Sequence, residues 1–173
     1  MRAFTAPLTW KRWVLYLVTS FLLYLILVIG AFTPQTEDQI RERSSLLREI
    51  LESIDGPDDI FLNNFYIALL MCVPLIGTVS GIFILFNTGQ VLAAAALSTG
   101  IDIGFAAILP LWTIFGVLEF LGYGVATFEG VILFFSLIKK KFRNELLNLP
   151  LALLLIFILL LLAALIEFWL ITS

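Results

Sequence analysis

The fold class predicted here is all-α: a polytopic helical membrane protein with about five transmembrane helices and one extramembrane amphipathic helix. Three observations predict it. Of 173 residues, 61% are hydrophobic and the mean hydropathy is +1.09, well above the roughly 45–50% apolar content of soluble domains. The apolar residues form long unbroken runs without the alternation of strands, and a backbone in lipid must satisfy its own hydrogen bonds, which favours helices here. The charged residues gather in the N-terminal arm, in 34–59 and in 139–145.

Composition also excludes several chemistries. Cys72 is the only cysteine and there is no histidine, so neither an intrachain disulfide nor a thiolate or imidazole metal centre can form. A carboxylate-only site stays open, but no cofactor is expected. A net charge of −3 carries no nucleic-acid signal. The partners expected are the lipid bilayer and either a second copy or another membrane protein.

Residues 1–12 form a short basic arm with Arg2, Lys11 and Arg12, and Trp10 and Trp13 suit an interface. The first crossing is expected over 13–32; it exceeds the apolar core of about 7–15 residues usual in a signal peptide. Segment 34–59 then turns polar, with eight acids and three arginines. It reads as an amphipathic helix over 35–54. Thr36 and Gln39 make a capping-box pattern, Glu37 precedes Arg41 by four, and Ile40, Leu47, Ile50, Leu51 and Ile54 share a face. Gly56 and Pro57 supply the stop. Such a helix either docks a partner or second copy, or lies on its own membrane domain or the headgroups.

The second crossing is expected over 60–86. It opens with Asn63 and Asn64, and it carries Pro74 and the close-packing pair Gly77 and Gly81. Pro74 reads as a packing kink or as the break of an ion-coordinating helix. Residues 87–90, with Asn87, read as a turn. A third crossing follows over 91–109, with the small residues Ala93 to Ala96 and with Asp102 either buried or at the far interface. Residues 110–138 are the fourth, ended by Lys139, Lys140, Lys141 and Arg143, and 151–171 are the last, with Glu167 and Trp169 near its end.

The fourth crossing organises the rest, because it carries Glu119 and Glu129 with no basic residue in its own segment. Gly116, Glu119, Gly122, Tyr123, Ala126, Glu129 and Gly130 fall in an arc of roughly 140°. A carboxylate facing mid-membrane lipid costs about 3 kcal/mol on insertion scales, so this face should meet protein or a wet cavity. The candidate functional seam is therefore Glu119, Tyr123 and Glu129, joined by Asp102, Asn63, Asn64 and Asn87. For Glu119, the sequence predicts a dry neutral acid that donates its proton to a backbone carbonyl or an asparagine side chain.

Seven of the ten basic residues lie in the N-terminal arm and in 139–143, which five crossings place on one side. The positive-inside rule then predicts a multi-pass protein of the cell membrane with a cytoplasmic N-terminus, 34–59 outside and an outside C-terminus. Residues 1–173 read as a single membrane domain with 34–59 as its polar excursion.

Over 61–130 the chain resembles the stage II sporulation protein M family in its archaeal-type short form. The resemblance rests on Asn63 and Asn64, on Pro74 and Gly77, on Asn87, Thr88 and Gly89, and on Gly116, Val117, Leu118 and Glu119. The family's usual Pro-His pair corresponds here to Ile114 and Phe115. The resemblance implies an integral membrane protein of about five helices with a seam around Glu119; the bacterial namesake serves a complex that recruits cell-wall hydrolases, a role not carried over.

The functional expectation is a non-enzymatic scaffold or assembly component of a membrane complex; the alternative is a channel or carrier using the intramembrane acids. An enzyme is disfavoured because Glu119 and Glu129 are about 15 Å apart along one helix at 1.5 Å per residue, beyond the roughly 5–9.5 Å of a paired-carboxylate hydrolase.

Overall fold

Apolar periodicity, caps and breaks produce eight helices in the computed structural model, which describes residues 9–172; there is no strand among them. They are α1 (Trp10–Ala31), α2 (Glu37–Glu52), α3 (Pro57–Met71), α4 (Ile76–Thr99), α5 (Ile103–Trp112), α6 (Ile114–Ile138), α7 (Phe142–Leu146) and α8 (Leu149–Thr172). Arg2 of the basic arm and Ser173, the expected outside terminus, lie outside the described residues. Four helical segments are long and apolar enough to cross a membrane: α1, α4, α6 and Phe142–Thr172.

Helix α6 is the hub, packed against α1, α3, α4, α5, α7 and α8. Small residues set these approaches. Gly124 lies against Ser20 and the Tyr16 carbonyl of α1, Gly122 against Leu160 of α8, and Gly130 against Met71 and Cys72 at the end of α3. The order of pairs fixes direction. Tyr24 with Phe120 and Arg12 with Glu129 make α1 antiparallel to α6, whereas Asn64 with Glu119 and Cys72 with Gly130 make α3 parallel to it. Helix α4 returns beside α3 and crosses α1 where Gly30 meets the Phe86 backbone and Gly89 meets the Leu27 carbonyl. The buried face of α8, Ala152, Ile156, Leu160, Ala163 and Ala164, repeats every turn.

The structure redraws the second and third expected crossings. Segment 60–86 is not one helix: α3 ends at Met71, and α4 starts at Ile76 after a break at residues 72–75. Pro74 removes a donor there, and Leu75 takes φ 65°, ψ −58°, with Ile76 N–H donating to the Pro74 carbonyl at 2.8 Å. This is a γ-turn of the rarer, strained hand. Residues 87–90 are not a turn either, but lie inside α4. Asn87 and Thr88 donate to the carbonyls of Phe83 and Ile84 one turn back, a pattern that lets polar side chains ride in a helix.

Segment 91–109 likewise splits. Helix α4 stops at Gly100, whose φ of 74° closes a left-handed cap with Ile101 N–H on the Ala96 carbonyl. Asp102 then caps α5 by accepting from Phe105 N–H at 3.0 Å. Pro110 lies in α5 and does not begin the seam helix; α6 starts after Thr113, which accepts from Gly116 N–H.

Helix α2 carries the expected capping box, Thr36 with Gln39. Gly56 and Pro57, read as its stop, instead open α3: Gly56 is the cap and Pro57 the first helical residue, with Asp59 accepting from the N–H groups of Asp55 and Gly56. Helix α2 rests on α4. Its half-buried residues Ile40, Arg43, Ser44 and Leu47 share one face, while Ile50 and Leu51 of the expected stripe are exposed.

Candidate functional site

The buried face of α6 carries two polar nodes, and every glycine, tyrosine and alanine of the predicted arc is buried on it. The inner node is built on Glu129. Arg12 of α1 donates from Nε to Oε1 at 3.0 Å and from a terminal nitrogen to Oε2 at 2.7 Å, and Tyr16 donates its hydroxyl to Oε1 at 2.6 Å. Arg12, Tyr16 and Glu129 are 0–1% exposed. A fork of two parallel bonds plus a third donor is the arrangement in which a buried carboxylate is best compensated. Glu145 of α7 adds a second carboxylate 3.6 Å from Arg12. Trp13 and Phe128 flank the Tyr16 ring edge to face, at 5.9 and 5.6 Å between centroids.

The outer node is built on Glu119, half-buried on α6. Asn64 of α3 donates to its Oε1 at 2.5 Å, and Asn63, exposed, donates to Asn64 Oδ1 at 3.4 Å. Tyr123, one turn on, is buried beside Phe120, which itself packs on Tyr24 of α1. The acid therefore meets an asparagine, but as acceptor: Asn64 donates to it, where the sequence predicts that the acid donates its own proton.

The seam residues do not all converge. Asn64, Glu119 and Tyr123 come together; Glu129 sits in its own node ten residues further along α6. Asp102 is an exposed cap and Asn87 bonds to its own helix, so neither reaches α6. A third polar contact ties α2 to α4: Arg43 donates to Gln35 Oε1 at 2.6 Å and to Gln90 Oε1 at 2.7 Å, and Gln35 donates to the Gln90 carbonyl at 3.0 Å.

Arg12, Tyr16, Gln90 and Arg43 are absent from the predicted seam. For the first two a signal existed: Arg12, Tyr16 and Ser20 recur at four-residue spacing, and with Leu23 and Leu27 they form the buried face of α1.

Chemically, the inner node presents a carboxylate whose two oxygens are both engaged, which makes it a tie between α1 and α6. The outer node leaves one carboxylate oxygen less constrained. No group of three or more Cys, Asp or Glu poised for a metal occurs among the described residues. An apolar groove of about 160 Å³ lies between α1, α5 and α6, lined by Leu17, Phe21, Leu111, Val117 and Leu121. Comparison with protein-family models, with curated proteins and with solved structures gives no match for this chain.

Proposed function

We propose that this chain is a non-enzymatic scaffold or assembly component of a membrane complex, of the stage II sporulation protein M type. One observation carries the reading: both acids of α6 are held by side chains of other helices, Glu129 by Arg12 and Tyr16 and Glu119 by Asn64. Such bonds register helices against one another and leave little carboxylate free for turnover. The resemblance around Asn63, Asn64, Pro74, Gly77 and Glu119 supports the same reading.

In this proposal α1, α3, α4, α6 and α8 are five helical passes, with the N-terminus cytoplasmic, the C-terminus outside and α2 an amphipathic helix on the outer end. Two features support the orientation. Arg12 and the Lys139 to Arg143 segment share one end of the bundle, since Arg12 reaches both Glu129 and Glu145, and that end holds most of the basic residues. Helix α2 meets α4 at Gln90, level with the opposite end of α1, where Gly89 touches Leu27 and Ala31.

A channel or carrier is the second reading. What favours it is Glu119, half-buried and held by a single amide. Reconstitution separates the two. The scaffold reading expects proteoliposomes to show no proton or alkali-cation flux above protein-free vesicles, and native-membrane cross-linking from α2 to give a discrete larger assembly. Flux abolished by Glu119→Gln would overturn it.

A further inference from the structure

From Ile60 to Ile101, 42 residues pass without one charged side chain, and the turn between α3 and α4 lies inside this stretch. The other connection on that side of the bundle is basic: α6 ends in Lys139, Lys140 and Lys141. A loop that emerges on the cytoplasmic face ordinarily carries lysine or arginine. This one reads Met-Cys-Val-Pro-Leu-Ile-Gly.

Of the N–H groups in the turn, all but that of Leu75 are bonded within the chain. Cys72 N–H donates to Ala68 and Leu69, Val73 N–H to Leu70, Ile76 N–H to Pro74 and Gly77 N–H to Val73, and Pro74 has no N–H. Irregular backbone is tolerated at membrane depth where protein covers it. Here the cover is glycine: Gly77 closes on the Leu70 and Met71 carbonyls from α4, and a Cβ at Gly130 of α6 would sit 2.6 Å from the Met71 carbonyl. The strained Leu75 turn is what reverses the chain in so few residues.

Depth follows from α6. The turn meets it at Gly130, level with the buried Arg12 and Glu129 pair, and Lys139 lies nine residues on, about 13 Å at 1.5 Å per residue. Val131 to Ile138 between them are nearly all apolar, so they belong in hydrocarbon. Around the turn the outward side chains are apolar too: Leu75, Ile76 and Val79 are 56%, 61% and 62% exposed.

We infer that α3 and α4 form a re-entrant hairpin, entered and left on the α2 side, whose apolar tip at residues 72–76 ends among the acyl chains of the opposite leaflet. This rests on α1 and α6 being membrane passes, as proposed above. It replaces the α3 and α4 passes of that proposal with a hairpin and leaves the terminal orientation unchanged, because a hairpin returns to the side it came from.

The test uses the full chain in vesicles with Cys72→Ala and single cysteines at Ile76, Val79 or Lys141. In opened vesicles a charged maleimide should modify Lys141→Cys and react at least about ten-fold more slowly with Ile76→Cys, as expected for a charged reagent excluded from hydrocarbon. A nitroxide at position 76 should collide with oxygen more readily than with a nickel chelate. Equal maleimide rates at 76 and 141, or preference for the chelate, would overturn the inference. Low collision with both would put the tip under protein and overturn it equally. Val79→Cys, on the same exposed face, should behave as Ile76→Cys and serves if that variant fails to fold. Sidedness of Lys141→Cys in sealed vesicles tests the orientation separately; labelling from outside would reverse the topology without bearing on the depth of the tip.

Discussion

Glu119 and Glu129 are the same residue on one face of α6, yet their surroundings differ in kind. Glu129 is 1% exposed and receives three hydrogen bonds, two from a guanidinium. Glu119 is half-buried and receives one, from an amide. The contrast teaches that a carboxylate in a membrane helix is not one kind of feature. With a cation and a phenol around it, the acid is a charged joint between two helices; with one amide bonded to it, the acid is a polar contact between α3 and α6.

The largest expected effect tests the charged joint. Arg12→Met leaves Glu129 buried beside a single hydroxyl, and breaking a buried pair from one side costs about 3–5 kcal/mol. Thermal unfolding in detergent should fall steeply or the protein should fail to accumulate. Replacing both partners, Arg12→Met with Glu129→Met, should recover most of the loss, because no charge is then stranded. A double variant as unstable as the single one would mean that the pair's hydrogen-bond geometry, and not its charge balance, holds α1 to α6.

Gly124→Val comes next, since a Cβ there meets Ser20 Oγ and lies 2.8 Å from both Ser20 N and the Tyr16 carbonyl. Overpacking of this sort costs about 1–3 kcal/mol. It should also loosen the Tyr16 contact with Glu129, because α1 must move away. Unchanged stability would show that the α1 and α6 contact is softer than its spacing indicates.

These two sites also show what was legible in the sequence. The all-helical class, the long apolar runs, the seam face of α6 and the capping box of α2 follow from composition and local pattern, and local pattern is what a sequence displays directly. The partner of Glu129 was harder to see. Arg12 is 117 positions away and sits in a run of basic and aromatic residues that looks interfacial; only its four-residue spacing to Tyr16 and Ser20 marks it as inward. The helix boundaries between 60 and 109 were misleading for a different reason. Asn87, Thr88, Gly89 and Gln90 have turn composition, but back-bonding, a close α1 contact and a bond to Arg43 let them stay helical. The real break, at apolar residues 72–75, has only Pro74 to announce it.

Tyr16→Phe removes one of the three bonds on Glu129 while leaving the guanidinium fork. A hydrogen bond to a charged group is worth about 1.5 kcal/mol or somewhat more, so the variant should melt below wild type and well above Arg12→Met. A loss equal to that of Arg12→Met would make the phenol, not the arginine, the main support of the node.

The smallest effect is expected at Glu119. Glutamine keeps the carbonyl-type oxygen that accepts from Asn64 and adds an amide that can serve the second position, so Glu119→Gln should cost no more than about 0.6 kcal/mol, the average for interhelical hydrogen bonds in a membrane protein. Asn64→Leu should cost slightly more, because it leaves Glu119 without its donor. Thermal unfolding of the two variants beside Tyr16→Phe ranks all three on one scale. If Glu119→Gln proves as costly as Arg12→Met, the carboxylate must be charged and compensated, and the difference between the two nodes collapses. If it is mild while Asn64→Leu is not, the node depends on an acceptor at position 119 and not on a charge there, as expected of an acid that joins α3 to α6.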